Sequence, residues 1–129
     1  MNPPRPHDQY LVDPQPIEQL DGLPTFDLIE HINRQISFSV RAFGPGPRTK
    51  GICDHITKEL VEVQAAPKDL SEWIDVIMLG LDGAWRAGYI PEQIAAALAD
   101  KLTRNARRTW PDWRTSDPDK AIEHDRSKN

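Results

Sequence analysis

Two pairs of carboxylates at helical spacing are the residues of this 129-residue chain best suited to chemistry. Glu59 and Glu62 are three residues apart, and Glu72 and Asp75 repeat that interval further along the chain. Residues three or four apart share one face of an α-helix, so each pair points in one direction. If the two helices run antiparallel, these carboxylates, with Asp82 as a fifth, come together and repel one another unless a cation lies between them. Oxygen ligands of this kind suit Mg²⁺ or Mn²⁺.

The alternative interpretation of these carboxylates is a solvated acidic face on each helix, with Glu72 serving as part of a helix cap. Lys58 is the one basic residue that the spacing places on these faces to balance the charge. The sequence leaves the metal site and the solvated face both open.

A basic strip further along the chain could bind an anion. Lys101, Asn105 and Arg108 are spaced by four and then three residues, which again places them on one helix face. A lysine, an amide and a guanidinium suit the oxygens of a diphosphate or triphosphate. The alternative is a solvated basic face, because cations are favoured near a helix C-terminus. The combination with clustered carboxylates favours an anion that carries a metal.

Four predicted helices must position these groups. Apolar residues recur at three- and four-residue spacing in four segments, which are separated by Gly- and Pro-containing breaks and cover residues 26–42, 49–65, 70–88 and 91–108. Thr25 is the predicted N-cap of the first helix. Residues 1–24 contain six prolines and are predicted to form an extended arm. Residues 115–129 are mostly polar and are predicted to form a flexible tail. The chain is therefore predicted to be an all-α bundle of about four helices over residues 25–114.

The third predicted helix carries a pronounced apolar side. Asp69 is its predicted N-cap, and Glu72 lies at the spacing of a capping box. Its buried side is predicted to comprise Leu70, Trp73, Ile74, Ile77, Met78, Leu81 and Trp85. This is more apolar surface than one helical hairpin can bury, so an oligomer is expected.

Composition excludes several classes of protein. One cysteine, Cys53, rules out an internal disulfide and a cysteine-based metal cluster. No apolar run approaches the roughly 20 residues that span a bilayer, and the first residues lack the pattern of a signal peptide. A net charge of −4 argues against broad nucleic-acid binding. We therefore expect a cytoplasmic protein. His55, one turn before Glu59, is interpreted as a structural histidine.

Five segments of the chain, taken in order, resemble a known family. They are Phe43-Gly-Pro-Gly-Pro-Arg48, Asp54-His-Ile-Thr-Lys-Glu-Leu60, Glu72-Trp-Ile-Asp75, Asp82-Gly-Ala-Trp-Arg86 and Arg108-Thr-Trp-Pro-Asp112. Together they resemble the phage dATP/dGTP diphosphohydrolase branch called MazZ. The wider resemblance is to the MazG-like all-α nucleoside triphosphate pyrophosphohydrolases, and its motifs are Glu59-x-x-Glu62, Glu72-x-x-Asp75 and Lys101-x-x-x-Asn105-x-x-Arg108. The resemblance covers roughly residues 36–114. Lys58 departs from it, because the wider family often has a glutamate there.

The resemblance implies a helical dimer or tetramer that cleaves a (d)NTP, with purines favoured, to the monophosphate and pyrophosphate. It implies two or more Mg²⁺ or Mn²⁺ ions per site, and a role in the 2-aminoadenine nucleotide metabolism of phages. The implied metal ligands are Glu59, Glu62, Glu72 and Asp75. Among these ligands, we expect Glu59 or Glu62 to orient or deprotonate the attacking water. The implied triphosphate-binding residues are Lys101, Asn105 and Arg108.

The sequence leaves the base preference open, together with two functions of a different class. The preference between guanine and adenine depends on a few donors and acceptors in a pocket, so a house-cleaning enzyme with another base preference is an alternative. A non-enzymatic helical interaction module is a second alternative. A helical DNA-binding protein fits worst, because of the acidic middle of the chain.

Overall fold

A computed structural model describes residues 25–128, which contain four α-helices and no strand. The helices are α1 (Leu28–Phe43), α2 (Thr49–Ala65), α3 (Leu70–Arg86) and α4 (Pro91–Arg107), followed by 3₁₀ turns at Trp113–Thr115 and Arg126–Lys128. The prediction of an all-α bundle of four helices is confirmed. The predicted arm, residues 1–24, lies outside the described residues. No helix in the described part of the chain is long and apolar enough to cross a membrane.

The described residues divide into two compact units between residues 100 and 101. The first unit comprises residues 26–100, with α1, α2, α3 and the beginning of α4. The second comprises Thr25 and the described residues from 101 onward, including the end of α4. The predicted domain bounds, 25–114 and 115–129, stay predictions.

The starts of α1 and α3 depend on aspartate caps. α1 begins after Asp27, whose carboxylate accepts a 3.1 Å hydrogen bond from the backbone N–H of Glu30, two residues later than the cap predicted at Thr25. Asp69 caps α3 as predicted and accepts from the Ser71 N–H at 3.0 Å. The Asp69 N–H itself donates to the Ala66 carbonyl. The predicted capping box is therefore wrong, because the donor that Glu72 would satisfy already has a partner.

Helix α3 packs against both α1 and α2. Gln35 and Ser39 of α1 bond to Met78 and Asp82 of α3 in the same order along the chain, which makes these two helices parallel. Glu72, near the start of α3, meets the second half of α2, whereas Gly83, near the end of α3, faces Ile52 at the start of α2. The predicted antiparallel arrangement of α2 and α3 is confirmed, and it places the two carboxylate pairs at matching heights.

The apolar core of the single chain is small. Its buried apolar residues are Ile32, Ile52, Val63 and Ile94. Four residues of the predicted buried side of α3, namely Leu70, Trp73, Ile74 and Ile77, are between 41% and 69% exposed in the single chain, so their burial stays a prediction that depends on the expected oligomer. These four residues are called the α3 stripe below.

Candidate active site

Three of the four predicted metal ligands converge. Glu59 and Glu62 of α2 and Glu72 of α3 each offer a carboxylate oxygen, and these oxygens lie within 4.8 Å of one another. Glu59 is buried, Glu72 is half-buried and Glu62 is exposed. The helical spacing and the antiparallel pairing of α2 with α3 produce this cluster, as the sequence predicts.

The other two acidic residues have different positions. Asp75 is not part of the three-carboxylate group, but it lines the same cavity as Glu59 and is near enough to raise the pKa of the Glu59 carboxyl. Asp82 is buried and pairs with Arg86, one turn along α3, at 3.4 Å. Of the four or five carboxylates expected to come together, Asp82 is therefore the one whose charge Arg86 balances.

The crowding raises the pKa of two carboxyls above their ordinary value. For Glu59 the largest cause is burial, followed by hydrogen bonding to Glu62 and the charges of Glu62 and Asp75, while His55 acts in the opposite direction. For Glu72 the largest cause is hydrogen bonding to the Glu62 carboxyl, followed by burial. Ionising all of these groups at once is costly unless a positive charge is present.

The donor set fits a hard divalent cation. Glu59 Oε2 and Glu72 Oε2 are buried and find no hydrogen-bond partner among the described residues. A buried carboxylate oxygen without a partner is costly, and a coordinated cation removes that cost. Oxygen ligands from several carboxylates are what Mg²⁺ and Mn²⁺ prefer.

His55, interpreted from the sequence as a structural histidine, lies against the carboxylate group. Its Nε2 lies 3.2 Å from Glu59 Oε1, and its ring lines the cavity beside that carboxylate. The contact occupies Oε1 of Glu59 and leaves Oε2 as the oxygen without a partner. The i, i+4 spacing of the two residues was the available signal in the sequence.

A cavity of about 270 Å³ lies next to the carboxylates. It is lined by Gln35, Phe38, Ser39, Phe43, His55, Glu59, Asp75, Met78, Leu79 and Asp82. Glu59 and Asp75 bring negative charge to it, and two phenylalanines, a leucine and a methionine give it apolar surface. Phe38 and Phe43 meet edge to face with ring centroids 6.2 Å apart, and both are partly exposed. Part of a ligand could enter this cavity while its charged end meets the carboxylates.

A buried polar network forms one wall of the cavity. Ser39 Oγ donates to Asp82 Oδ2 at 2.6 Å, and Trp85 Nε1 donates to Asp82 Oδ1 at 2.7 Å. Arg86 donates to Ser39 Oγ at 2.8 Å and to the Gly46 carbonyl at 2.8 Å. The network ties α1, α3 and the loop between α1 and α2 together. This accounts physically for the segment Asp82-Gly-Ala-Trp-Arg86.

The basic strip lies in the second unit, and two of its members are in direct contact. Arg108 donates to the Asn105 side-chain oxygen at 2.9 Å, while Trp110 Nε1 donates to the Asn105 carbonyl at 2.7 Å. Lys101 and Arg108 both contribute to lowering the pKa of His124, although burial is the largest cause. Arg108 and Asn105 are thus in contact within this unit, and the grouping with Lys101 stays a prediction.

Comparison with known proteins assigns the family. The family model for dATP/dGTP pyrophosphohydrolases matches residues 31–128, which is most of the chain. The chain belongs to the dATP/dGTP pyrophosphohydrolase family. No curated protein and no solved structure gives a significant match. The membership and the four-helix fold confirm the resemblance to the MazG-like enzymes, and they identify the chain as a nucleoside triphosphate diphosphatase.

Proposed function

We propose that this enzyme hydrolyses dGTP, dATP or both to the deoxynucleoside monophosphate and pyrophosphate, with Mg²⁺ or Mn²⁺ as its cofactor. The observation that carries the proposal is the group formed by Glu59, Glu62 and Glu72, in which two buried oxygens have no partner among the described residues. The cavity beside this group supplies a place for the uncharged end of the nucleotide.

The cavity suits a nucleoside better than a whole nucleotide. Pockets that hold drug-sized ligands usually measure roughly 300–1,000 Å³, and this one, at about 270 Å³, lies just below that range. Phe38 and Phe43 offer aromatic surface on which a purine can stack. A base and sugar held there would direct the triphosphate towards Glu59 and Asp75, which share the cavity wall.

The carboxylates would hold the metal and activate water. Glu59, Glu62, Glu72 and Asp75 are the proposed ligands, for two or more ions. Bound ions of this kind lower the pKa of a coordinated water and neutralise phosphate charge. Glu59 or Glu62 would orient the attacking water and accept its proton as it attacks the α-phosphorus. The 3.2 Å contact with His55 fixes Glu59 Oε1, so that the carboxylate keeps one orientation.

The basic strip would bind the anionic part of the substrate. Lys101 and Arg108 are suited to stabilise charge that develops on the departing pyrophosphate, and the Asn105 amide adds a hydrogen-bond donor. Arg108 is already oriented by its bond to Asn105. A planar guanidinium held in this way loses little conformational freedom when it binds phosphate oxygens.

The proposed assembly is a homodimer or homotetramer that buries the α3 stripe. Exposed apolar patches of this kind mark interaction sites in proteins. The resemblance to MazZ supports a place in phage 2-aminoadenine nucleotide metabolism, in the host cytoplasm, with neither a nucleic acid nor a membrane as partner.

The test is incubation of the purified protein with each of the eight common NTPs and dNTPs, with and without Mg²⁺ or Mn²⁺, followed by identification of the products. We expect metal-dependent release of pyrophosphate with dGMP or dAMP. Glu59→Gln should abolish this release, whereas Asp54→Asn, an exposed α2 position outside the carboxylate group, should retain it. Release of orthophosphate would contradict the proposed bond cleavage. Absence of any turnover would favour an interaction module instead.

A further inference from the structure

The carboxamide of Gln35 is held in one orientation. Its Nε2 donates to the Met78 backbone carbonyl at 2.7 Å, and its Oε1 lies 3.0 Å from His31 Nε2. A carbonyl oxygen can only accept, so the amide nitrogen must face Met78 and the amide oxygen must face His31. Gln35 is 6% exposed, and it lines the cavity. After these two bonds the carboxamide retains one N–H and one lone pair.

The other polar side chains in the cavity wall are less suited to a neutral ligand with both a donor and an acceptor. Glu59, Asp75 and Asp82 offer only acceptors when ionised. The Ser39 hydroxyl already donates to Asp82 and accepts from Arg86. His55 Nε2 is engaged with Glu59 Oε1. Among the described residues of the cavity wall, Gln35 is therefore the side chain that combines a neutral donor with a neutral acceptor.

We infer that Gln35 contacts the purine at ring positions 1 and 6 and decides whether a 6-oxo or a 6-amino purine is hydrolysed. This inference rests on the proposed function, because it requires that the base occupies the cavity. A 6-oxo purine presents an acceptor at position 6, and a 6-amino purine presents a donor there. The neighbouring ring nitrogen has the opposite character in each case.

The fixed orientation of the Gln35 amide determines which of the two purine classes can form both hydrogen bonds. Either base can pair with a carboxamide, but each requires the amide nitrogen and oxygen in opposite places. Rotating the Gln35 amide by half a turn would set its oxygen against the Met78 carbonyl oxygen and lose the 2.7 Å bond. One purine class therefore forms both bonds with Gln35, and the other leaves buried polar groups unpaired, which is costly.

The first experiment uses the unmodified protein and four substrates. We expect kcat/KM to follow the substituent at position 6, so that dITP behaves like dGTP, and the triphosphate of 2,6-diaminopurine deoxyriboside behaves like dATP. The two classes should differ by about tenfold or more. Equal kcat/KM for both classes, or a grouping that follows the 2-amino substituent, would overturn the inference and leave the proposed function intact. Failure to hydrolyse any purine triphosphate would overturn both.

The second experiment changes the side chain. Gln35→Met keeps a similar volume without the amide and should bring the dGTP to dATP ratio of kcat/KM close to one. His31→Phe keeps a ring at that position but frees the amide oxygen, so it should bring the ratio closer to one while Gln35 is retained. Gln64→Met, at an exposed position on α2, is the matched control and should leave the ratio unchanged. An unaltered ratio in Gln35→Met would refute the assignment.

Discussion

Ser39 of α1 donates a 2.6 Å hydrogen bond to Asp82 of α3, and the two residues are respectively 1% and 4% exposed. Arg86 completes the group, since it reaches both Ser39 and Asp82. A buried charge pair contributes little when it replaces apolar packing, but removing one partner leaves the other charge uncompensated. The buried part of the cavity wall therefore depends on the Asp82 carboxylate to balance the charge of Arg86.

Removing the Asp82 carboxylate should destabilise the protein strongly. Asp82→Ala leaves the Arg86 guanidinium buried without its charge partner, and the expected loss in the free energy of unfolding is about 3–5 kcal/mol. Asp54→Ala is the control, because the Asp54–Lys58 pair is exposed and such pairs contribute about 0–1 kcal/mol. Urea denaturation measures both losses. Similar losses in the two variants would show that the buried pair does not hold the wall.

Neutralising Glu72 should have opposite effects without and with metal. The pKa of Glu72 is raised from an ordinary value of 4.5, so its contribution to stability is present below that pH and is lost as pH rises through the raised pKa. At neutral pH without metal, Glu72→Gln removes this cost and should raise the Tm. The same change removes a ligand, so it should weaken the rise in Tm that Mg²⁺ or Mn²⁺ produces.

Thermal unfolding with EDTA and with each ion separates these effects. In the unmodified protein, ion at 100 times its Kd should stabilise by about 2.7 kcal/mol. Asp54→Asn, outside the carboxylate group, should keep the full metal response. A metal response in Glu72→Gln equal to that of the unmodified protein would exclude Glu72 as a ligand.

The carboxylate group was predictable because local rules determine most of it. Helical spacing fixes which residues of α2 and α3 share a face, and a short break between the helices fixes their antiparallel order. Glu59, Glu62 and Glu72 therefore meet as expected. The i, i+4 spacing of Asp82 and Arg86 is also visible in the sequence and is typical of an ion pair within one helix. The metal-site hypothesis instead counted Asp82 among the clustered carboxylates.

The cavity wall contributed by α1 could not be read from the sequence. Gln35 and Ser39 look like ordinary polar residues of an amphipathic helix, and their partners lie 43 residues further along the chain. Only the packing of α1 beside α3 brings them together. In the same way, periodicity identified the α3 stripe as an apolar face, but it could not say whether the same chain or another one covers that face.

His124 offers a test of the cations in the second unit. Its pKa is lowered below the ordinary value of 6.5 by burial first, and then by Arg108, Arg126 and Lys101. Its contribution to stability is therefore present above pH 6.5 and is lost as pH falls through the lowered pKa. Arg108→Gln should raise the pKa of His124, as measured by NMR titration, because one repelling charge is gone. Arg41→Gln, on α1, should leave it unchanged; equal shifts in the two variants would contradict the grouping.

The α3 stripe should determine the assembly state. Ile77 is 57% exposed, and Ile77→Glu would place an unpaired charge in any interface that buries the stripe. We expect analytical ultracentrifugation to show the unmodified protein as a dimer or tetramer and Ile77→Glu at the 14.7 kDa of one chain. Gln64→Glu adds the same charge at an exposed polar position of α2 and should keep the oligomer. The four stripe residues are not among those that line the cavity. A monomeric Ile77→Glu that still cleaves dGTP or dATP would therefore show that the cavity and the carboxylates of one chain suffice for turnover. A monomeric unmodified protein would refute the stripe as an interface between copies.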